Sequence, residues 1–271
     1  MPLVKIDERT CIRCNACAAA CGATIIVPRK EAPPRLYPGA DRSCLRCGHC
    51  VAVCPTGSVS HAEMPAESFL PVEAALEASF DQLSRLVRDR RSVREFREEA
   101  PPRAEIERVI ETARCAPTGH NLQEVSWIVV EGREAVRALA AVGLDWARSI
   151  VERKDALARE MKGILKMSGY GVDIFLRDAP ALVLACAERG NPMGPTDCAI
   201  AMCCFDLAAK AAGMGGFWNG YFAACARDYA PMARALGMPE GLEVDAAFCL
   251  GYPLFEYRLA PPRRPARAEY R

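Results

Sequence analysis

The chain has 271 residues, 51% of them hydrophobic and 25% charged, with a formal net charge of +1. That length suits a small module plus one domain of ordinary size, and the apolar share supports a buried core, which excludes a largely disordered chain. Near-neutral, interspersed charge gives no field for recruiting nucleic acid or an anionic membrane, and favours a small-molecule or redox partner. The opening Met1-Pro2-Leu3-Val4-Lys5-Ile6-Asp7-Glu8 lacks a secretory pattern, and no apolar run approaches transmembrane length, so a cytoplasmic protein is expected. In that compartment 15 cysteines point to metal ligation or catalysis rather than disulfides.

The N-terminal 62 residues carry an internal duplication. Cys11, Cys14, Cys17 and Cys21 form C-x₂-C-x₂-C-x₃-C, and Cys44, Cys47, Cys50 and Cys54, followed by Pro55, repeat it. Thr10 and Ser43 place a hydroxyl before each run. Structural zinc takes ligands from two separate knuckles, which four cysteines in one tight run do not supply. Three closely spaced thiolates instead wrap three corners of a cubane, while the fourth ligates the neighbouring cluster. This assigns Cys11, Cys14, Cys17 and Cys54 to one [4Fe–4S] cluster, and Cys44, Cys47, Cys50 and Cys21 to the other. Gly22 stands where the second run has a proline, and a Pro-rich insert, Pro28 to Pro38, separates the halves; neither removes a ligand. The module resembles bacterial two-cluster ferredoxins, which implies a one-electron relay. His49 and His61 are read as surface or packing residues and receive no role.

Residues 63–72 contain Pro65 and Pro71 and no clear period, which predicts a semi-rigid linker. From Glu73, Leu76, Phe80, Leu83 and Val87 recur at spacings of four and three, predicting a helix that ends near Arg90. Its apolar stripe is expected to be taken up by the core or by a dimer.

The remaining chain, 73–271, carries four candidate elements. Arg90, Arg91, Ser92 and Arg94 could hold a phosphate or simply form a solvated helix face. The turn Ala116-Pro117-Thr118-Gly119-His120-Asn121-Leu122-Gln123 leads into the apolar strand at Trp127 to Val130, so Asn121 and Gln123 could read a ligand edge or serve the turn itself. A small-residue helix from Asp197 to Ala212 ends in Gly213-Met214-Gly215-Gly216-Phe217-Trp218-Asn219-Gly220, where glycine lets backbone approach a flat ligand. A late strand, Ala246 to Leu250, is followed by Gly251-Tyr252-Pro253 and by Arg258, Arg263 and Arg264.

Taken in order, these elements resemble the nitroreductase family, whose pattern runs R-x-S-x-R-x-F, A-P-S-x-x-N-x-Q-P-W, a small-residue helix ending in G-L-G, and a late G-Y-P. The resemblance covers about residues 73–271. It implies an α+β fold with an antiparallel-rich sheet, FMN as cofactor, and an intertwined homodimer with flavin sites at its interface. It further implies that Arg90, Arg91, Ser92 and Arg94 bind the phosphate and pyrimidine side, that Asn121 and Gln123 lie near the ring or ribityl chain, and that Arg263 with Arg264 closes on the phosphate. Phe217, Trp218, Asn219 and Gly220 would run along the flavin. Gln123-Glu124-Val125 departs from the family's Gln-Pro-Trp and leaves the shape of that wall open.

Flavin converts one-electron flow into two-electron chemistry, so the fusion is expected to pass electrons from a ferredoxin or another low-potential donor through the clusters to FMN, and on to a nitro compound, quinone or activated alkene. No G-x-G-x-x-G after a strand supplies a dedicated dinucleotide fold. No side chain is assigned as a general acid. The rival readings are an electron-transfer flavoprotein without a small substrate, an NAD(P)H-driven reductase whose clusters are an electron exit, and a specialised family reaction such as flavin fragmentation or reductive dehalogenation. The seven other cysteines, Cys115, Cys186, Cys198, Cys203, Cys204, Cys225 and Cys249, are read as small buried hydrophobes, with Cys115 beside its turn as the one to watch. Trp146, Met161, Met167, Tyr170 and Phe175 are expected to pack a helix pair rather than cap a flavin.

Overall fold

The computed structural model describes residues 2–73 and 76–271. The chain divides into two compact units, Met1–Glu77 with His120–Leu122, and Ala78–Gly119 with Gln123–Arg271. The first unit therefore extends past the expected boundary at 62 and recruits three residues from far downstream.

Unit 1 is built from β1 (Val4–Ile6), α1 (Ala16–Ala19), β2 (Ile26–Val27), β3 (Arg35–Leu36), α2 (His49–Ala52) and β4 (Val59–His61). The duplication is visible in the backbone. Arg13 (φ 63°) and Asn15 (φ 58°) turn the chain into α1, and Arg46 (φ 51°) and Gly48 (φ 71°) turn it into α2. Left-handed backbone costs least at Gly and Asn, and each occupies the position just before its helix. The ends of the module meet where β1 pairs antiparallel with β4, from Val4↔His61 to Ile6↔Val59. The Pro-rich insert forms the tip of the β2–β3 hairpin. Asn15 ties that tip back, its amide donating to Arg29 O at 2.9 Å and its oxygen accepting from Arg29 N at 3.2 Å. Among the described residues the buried core consists of Val4, Cys17, Ile25, Ile26, Ala40 and Val59. A core that small needs staples, and in this module cysteine ligands are the available ones.

Unit 2 begins with α3 (Phe80–Asp89). The helix starts later than the apolar spacing suggests because Ser79 and Gln82 form a capping box: Gln82 N donates to Ser79 Oγ, and Ser79 N donates to Gln82 Oε1. Residues 74 and 75 of the expected helix lie outside the described residues. The apolar stripe is not in the core of this chain, since Leu76 is 78% exposed and Phe80 82%.

After α4 (Arg103–Ala113) come β5 (Ser126–Glu131), α5 (Arg133–Arg153), α6 (Ala158–Ser168), β6 (Ala181–Glu188), α7 (Gly194–Ala211), β7 (Gly215–Trp218), α8 (Gly220–Asp228), α9 (Ala230–Ala235) and β8 (Leu242–Gly251). The strands form one antiparallel sheet of order β5-β6-β8-β7. Strand β6 alternates between two cores, as a period of two requires. Leu182, Leu184 and Cys186 face a cluster with Val136 and Trp146 of α5, Met161 of α6 and Phe222 of α8. Ala181, Val183, Ala185 and Ala187 face Ile106 of α4 and Met202 and Phe205 of α7. The unit is thus α/β/α in layers, and the expected α+β class with an antiparallel sheet is met.

Candidate functional site

In unit 1 cysteines of the two runs come together in two groups, Cys21 with Cys44, Cys47 and Cys50, and Cys17 with Cys11 and Cys54. Cys21 lines one cavity together with Cys44, Cys47 and Cys50, although 23 residues or more separate it from them in sequence. Burial, followed by the charges of Cys21, Cys47 and Cys44, pushes the Cys50 thiol up to about 11. Burial likewise raises Cys17, with Cys54 and Cys11 as the charges beside it. Cys50 and Cys17 thus each have a neighbour from the other cysteine run. Among the described residues no three His, Cys, Asp or Glu side chains converge on a single-ion position. Cubane ligands surround a volume rather than a point, so this donor set fits an iron–sulfur cluster, whose positive irons would relieve the crowding of thiolates.

The two groups have different neighbours. Beside the first, burial raises Cys54, but the Thr56 amide and hydroxyl and the Ser58 and Val59 amides outweigh it and hold this thiol below its ordinary value. Thr56 Oγ1 lies 3.8 Å from Cys54 Sγ and 2.6 Å from Ser58 Oγ, and Thr10 Oγ1 donates to Ser58 Oγ at 2.9 Å. Beside the second stands His61, only 5% exposed, with Nε2 3.7 Å from Cys44 Sγ. Asn121, expected near a flavin ring, belongs to unit 1. Its amide donates to Leu45 O and Arg46 O, both at 3.1 Å, between Cys44 and Cys47.

Unit 2 distributes seven of the remaining predicted residues between two clefts. The first, of about 750 Å³, is lined by Arg94, Phe217, Trp218, Asn219 and Gly220, and its far wall includes Ile164, Met167, Ile174 and Phe175. The Arg94 guanidinium lies 5.5 Å from the centre of the Phe217 ring. The second, of about 510 Å³, contains Arg90 and Arg91 with Arg97, Lys210 and Arg258. Arg90 there pairs with Asp206 at 3.3 Å, and Arg91 donates to the carbonyls of Arg88 and Arg90. The Arg91 Nε is buried without a partner, an orphan that suits an incoming anion. Asp206, which sequence reasoning passed over, belongs to both: it faces the second cleft and accepts from Trp218 Nε1 at 3.2 Å. Burial raises its carboxyl, opposed by Arg90 and by the Trp218 hydrogen bond.

Several residues do work other than that expected. Asn219 caps α8, its Oδ1 accepting from Phe222 N at 3.0 Å while Nδ2 donates to Phe175 O at 2.7 Å, so its side chain is committed to structure. Gly215 and Gly216 serve packing rather than ligand approach. A Cβ on Gly216 would lie 1.8 Å from Cys249 O, and one on Gly215 would lie 2.9 Å from Val93 Cγ2. Ser92 forms a parallel bridge with Gly216, and Val93 N donates to Gly216 O at 2.9 Å. Gln123 holds a left-handed turn (φ 52°) in which its N–H donates to Thr118 Oγ1. Arg263 and Arg264 stand in an exposed tail beyond the second cleft's lining. In place of Pro-Trp, Glu124 accepts from Asn191 Nδ2, and Val125 packs against the α4–α7 core.

Of the other cysteines, Cys186, Cys198, Cys225 and Cys249 are buried as expected, whereas Cys115 and Cys203 are exposed. Of the aromatic and Met residues between α5 and β6, Trp146, Met161 and Phe175 are core, Phe175 and Met167 also line the first cleft, and Tyr170 is exposed. Among the described residues no helix is long and apolar enough to cross a membrane.

Unit 2 is an antiparallel sheet between helical layers with an apolar-walled cleft at the end of β7, and residues 87–252 match the nitroreductase family model. The chain belongs to the nitroreductase family. Residues 10–59 match the model for a 4Fe-4S dicluster domain. A protein of Methanothermobacter thermautotrophicus described as a candidate NADH dehydrogenase/NAD(P)H nitroreductase is 24% identical over 171 residues, 62% of this chain and 75% of that one. A nitroreductase with bound FMN from Bacteroides fragilis superposes with a TM-score of 0.55 at 20% identity, covering 69% of this chain and 99% of the other. A BluB-like flavoprotein from Clostridium difficile gives 0.56 at 22% identity, covering 68% and 94%.

Proposed function

We propose that this chain is an iron–sulfur flavoprotein oxidoreductase that takes electrons one at a time through two [4Fe–4S] clusters, gathers them on FMN and delivers them to a small organic acceptor such as a nitro compound, quinone or activated alkene. The crossed grouping of Cys21 with Cys44, Cys47 and Cys50, in a chain of the nitroreductase family, carries this reading. FMN, when bound, supplies the exchange between one-electron and two-electron transfer. The residues available to hold it are Arg94 and Phe217 to Gly220, around a cleft whose size and apolar walls suit a planar ligand. Arg90 and Arg91, in the basic cleft, are available to an anionic group, the Arg91 Nε lacking any other partner. Trp218, on the cleft wall, is oriented by the hydrogen bond its Nε1–H donates to Asp206. The exposed stripe Leu76, Phe80, Leu83 and Val87 supports a homodimer in which a second copy covers it.

An NAD(P)H-driven reductase whose clusters carry electrons away is the second reading, favoured by the description of the methanogen relative. Anaerobic stopped-flow mixing of the reconstituted protein with NADH, NADPH or reduced ferredoxin separates the two. Flavin bleaching by ferredoxin, with cluster bands changing first, is the expected result. Fast bleaching by NAD(P)H with the clusters following reverses the direction proposed.

A further inference from the structure

The environments of the two cysteine groups differ by one buried imidazole. His61 ends β4, where its pairing with Val4 fixes the backbone and leaves the residue 5% exposed. The Glu63 backbone N–H donates to His61 Nδ1 at 3.2 Å. A nitrogen that accepts from an amide carries no proton, so the ring proton sits on Nε2. Nε2 in turn is 3.7 Å from Cys44 Sγ, within the range for a hydrogen bond to sulfur, and His61 lines the same cavity as Cys21, Cys44, Cys47 and Cys50. Arg46 N adds a second approach to the same sulfur at 3.5 Å, and Arg46 is itself tied to Glu63 at 2.7 Å. The segment from His61 to Glu63 thus sets both the tautomer of the imidazole and the position of the Cys44 loop. Among the described residues no imidazole is placed beside the other group, where Thr56 Oγ1 and the backbone amides of Thr56, Ser58 and Val59 face Cys54.

We propose that His61 is a positioning residue that donates Nε2–H to the Cys44 thiolate and raises the reduction potential of the cluster held by Cys21, Cys44, Cys47 and Cys50 above the value it would have without the imidazole. Reduction adds negative charge that is shared with the ligand sulfurs, so a donor aimed at one of them stabilises the reduced form more than the oxidised form. Removing the donor lowers that potential and leaves the other cluster unchanged. This inference rests on the crossed assignment of the cysteines.

The test uses the reconstituted full chain, with iron and sulfide content measured for every sample. In EPR-monitored redox titrations, His61→Leu is expected to lower one of the two cluster potentials, with the reduction constant of that cluster falling about tenfold, about 59 mV for one electron. His61→Gln, which keeps an N–H near the sulfur, restores part of the shift. Unchanged potentials in fully loaded His61→Leu, or equal shifts in both clusters, overturn the proposal. Where His61→Leu fails to load, pulsed EPR of the reduced native protein labelled with ¹⁵N-histidine decides: a coupling to one cluster that His49→Gln and His120→Gln both retain is expected, and its absence overturns the proposal. Failure of the native protein to show two cubane signals would instead strike the cluster assignment itself.

Discussion

Replacing Asn219 isolates one side chain that holds the cleft wall together. Its Oδ1 caps α8, and its Nδ2 satisfies the buried carbonyl of Phe175 across the first cleft. Asn219→Ala loses the cap, about 1 kcal/mol, and strands an acceptor, about 2 kcal/mol. The sum is about 3 kcal/mol, or a urea midpoint lower by roughly 1.5 M at a slope of about 2 kcal/mol/M. Asn219→Asp separates the two parts, because a carboxylate keeps the cap but turns the donor into a second acceptor facing a carbonyl. Buried there, the new carboxyl has a folded-state pKa raised above its unfolded value. Its protonated form donates to Phe175 O, so the variant's stability is present at low pH and lost as pH rises through the folded value. The assay is anaerobic urea unfolding followed by tryptophan fluorescence, since Trp127, Trp146 and Trp218 all lie in unit 2 and report it alone. An unchanged midpoint for Asn219→Ala, or an Asn219→Asp deficit that does not grow as pH rises from about 4, the unfolded Asp value, refutes the bridging role.

Gly216→Ala drives a methyl group into Cys249 O and Phe248, so β7 must part from β8; a loss of at least about 3 kcal/mol and of flavin content is expected by denaturation and absorbance. Gly213→Ala, in open space but at φ 81°, should cost only about 1 kcal/mol in the same assay. Native alkylation at about pH 8 followed by mass spectrometry should label Cys115 and Cys203, which are exposed, while Cys186, Cys225 and Cys249, each pushed up to about 12 by burial, stay unmodified. Burial, and donation of its hydroxyl to Glu105, raise Tyr252 to about 12. Its folded pKa exceeds the unfolded one, so its contribution is complete below about pH 10 and lost as pH rises through 12; Tyr252→Phe should flatten alkaline unfolding over that window.

The ferredoxin module was legible in the sequence because most of its ligand spacing is local: a three-residue period groups three sulfurs in each run, and only the fourth, which crosses to the other run, depends on the fold. The motifs of the larger domain marked the right segments but not the job of each residue. Phe217 to Gly220 do line a cleft, yet the amide of Asn219 is spent on a helix cap, a role that Asn before a helix would have suggested. Gly215 and Gly216 are small because β8 and Val93 lie against them, a demand set by a partner strand far away in sequence. Asp206 and His61 carried no local signal, since a lone acid in an apolar helix and a lone histidine after a cysteine run acquire meaning only from Trp218, Arg90 and Cys44. The stripe on α3 had the period of a buried face, and periodicity cannot say which molecule does the burying.

The amide of Asn121, reaching the two carbonyls between Cys44 and Cys47, makes the cluster module discontinuous in the chain. A fragment ending at residue 77 would contain every cysteine ligand and still lack a brace on the turn that presents two of them. Such a fragment should assemble its clusters and yet lose them sooner than the intact protein.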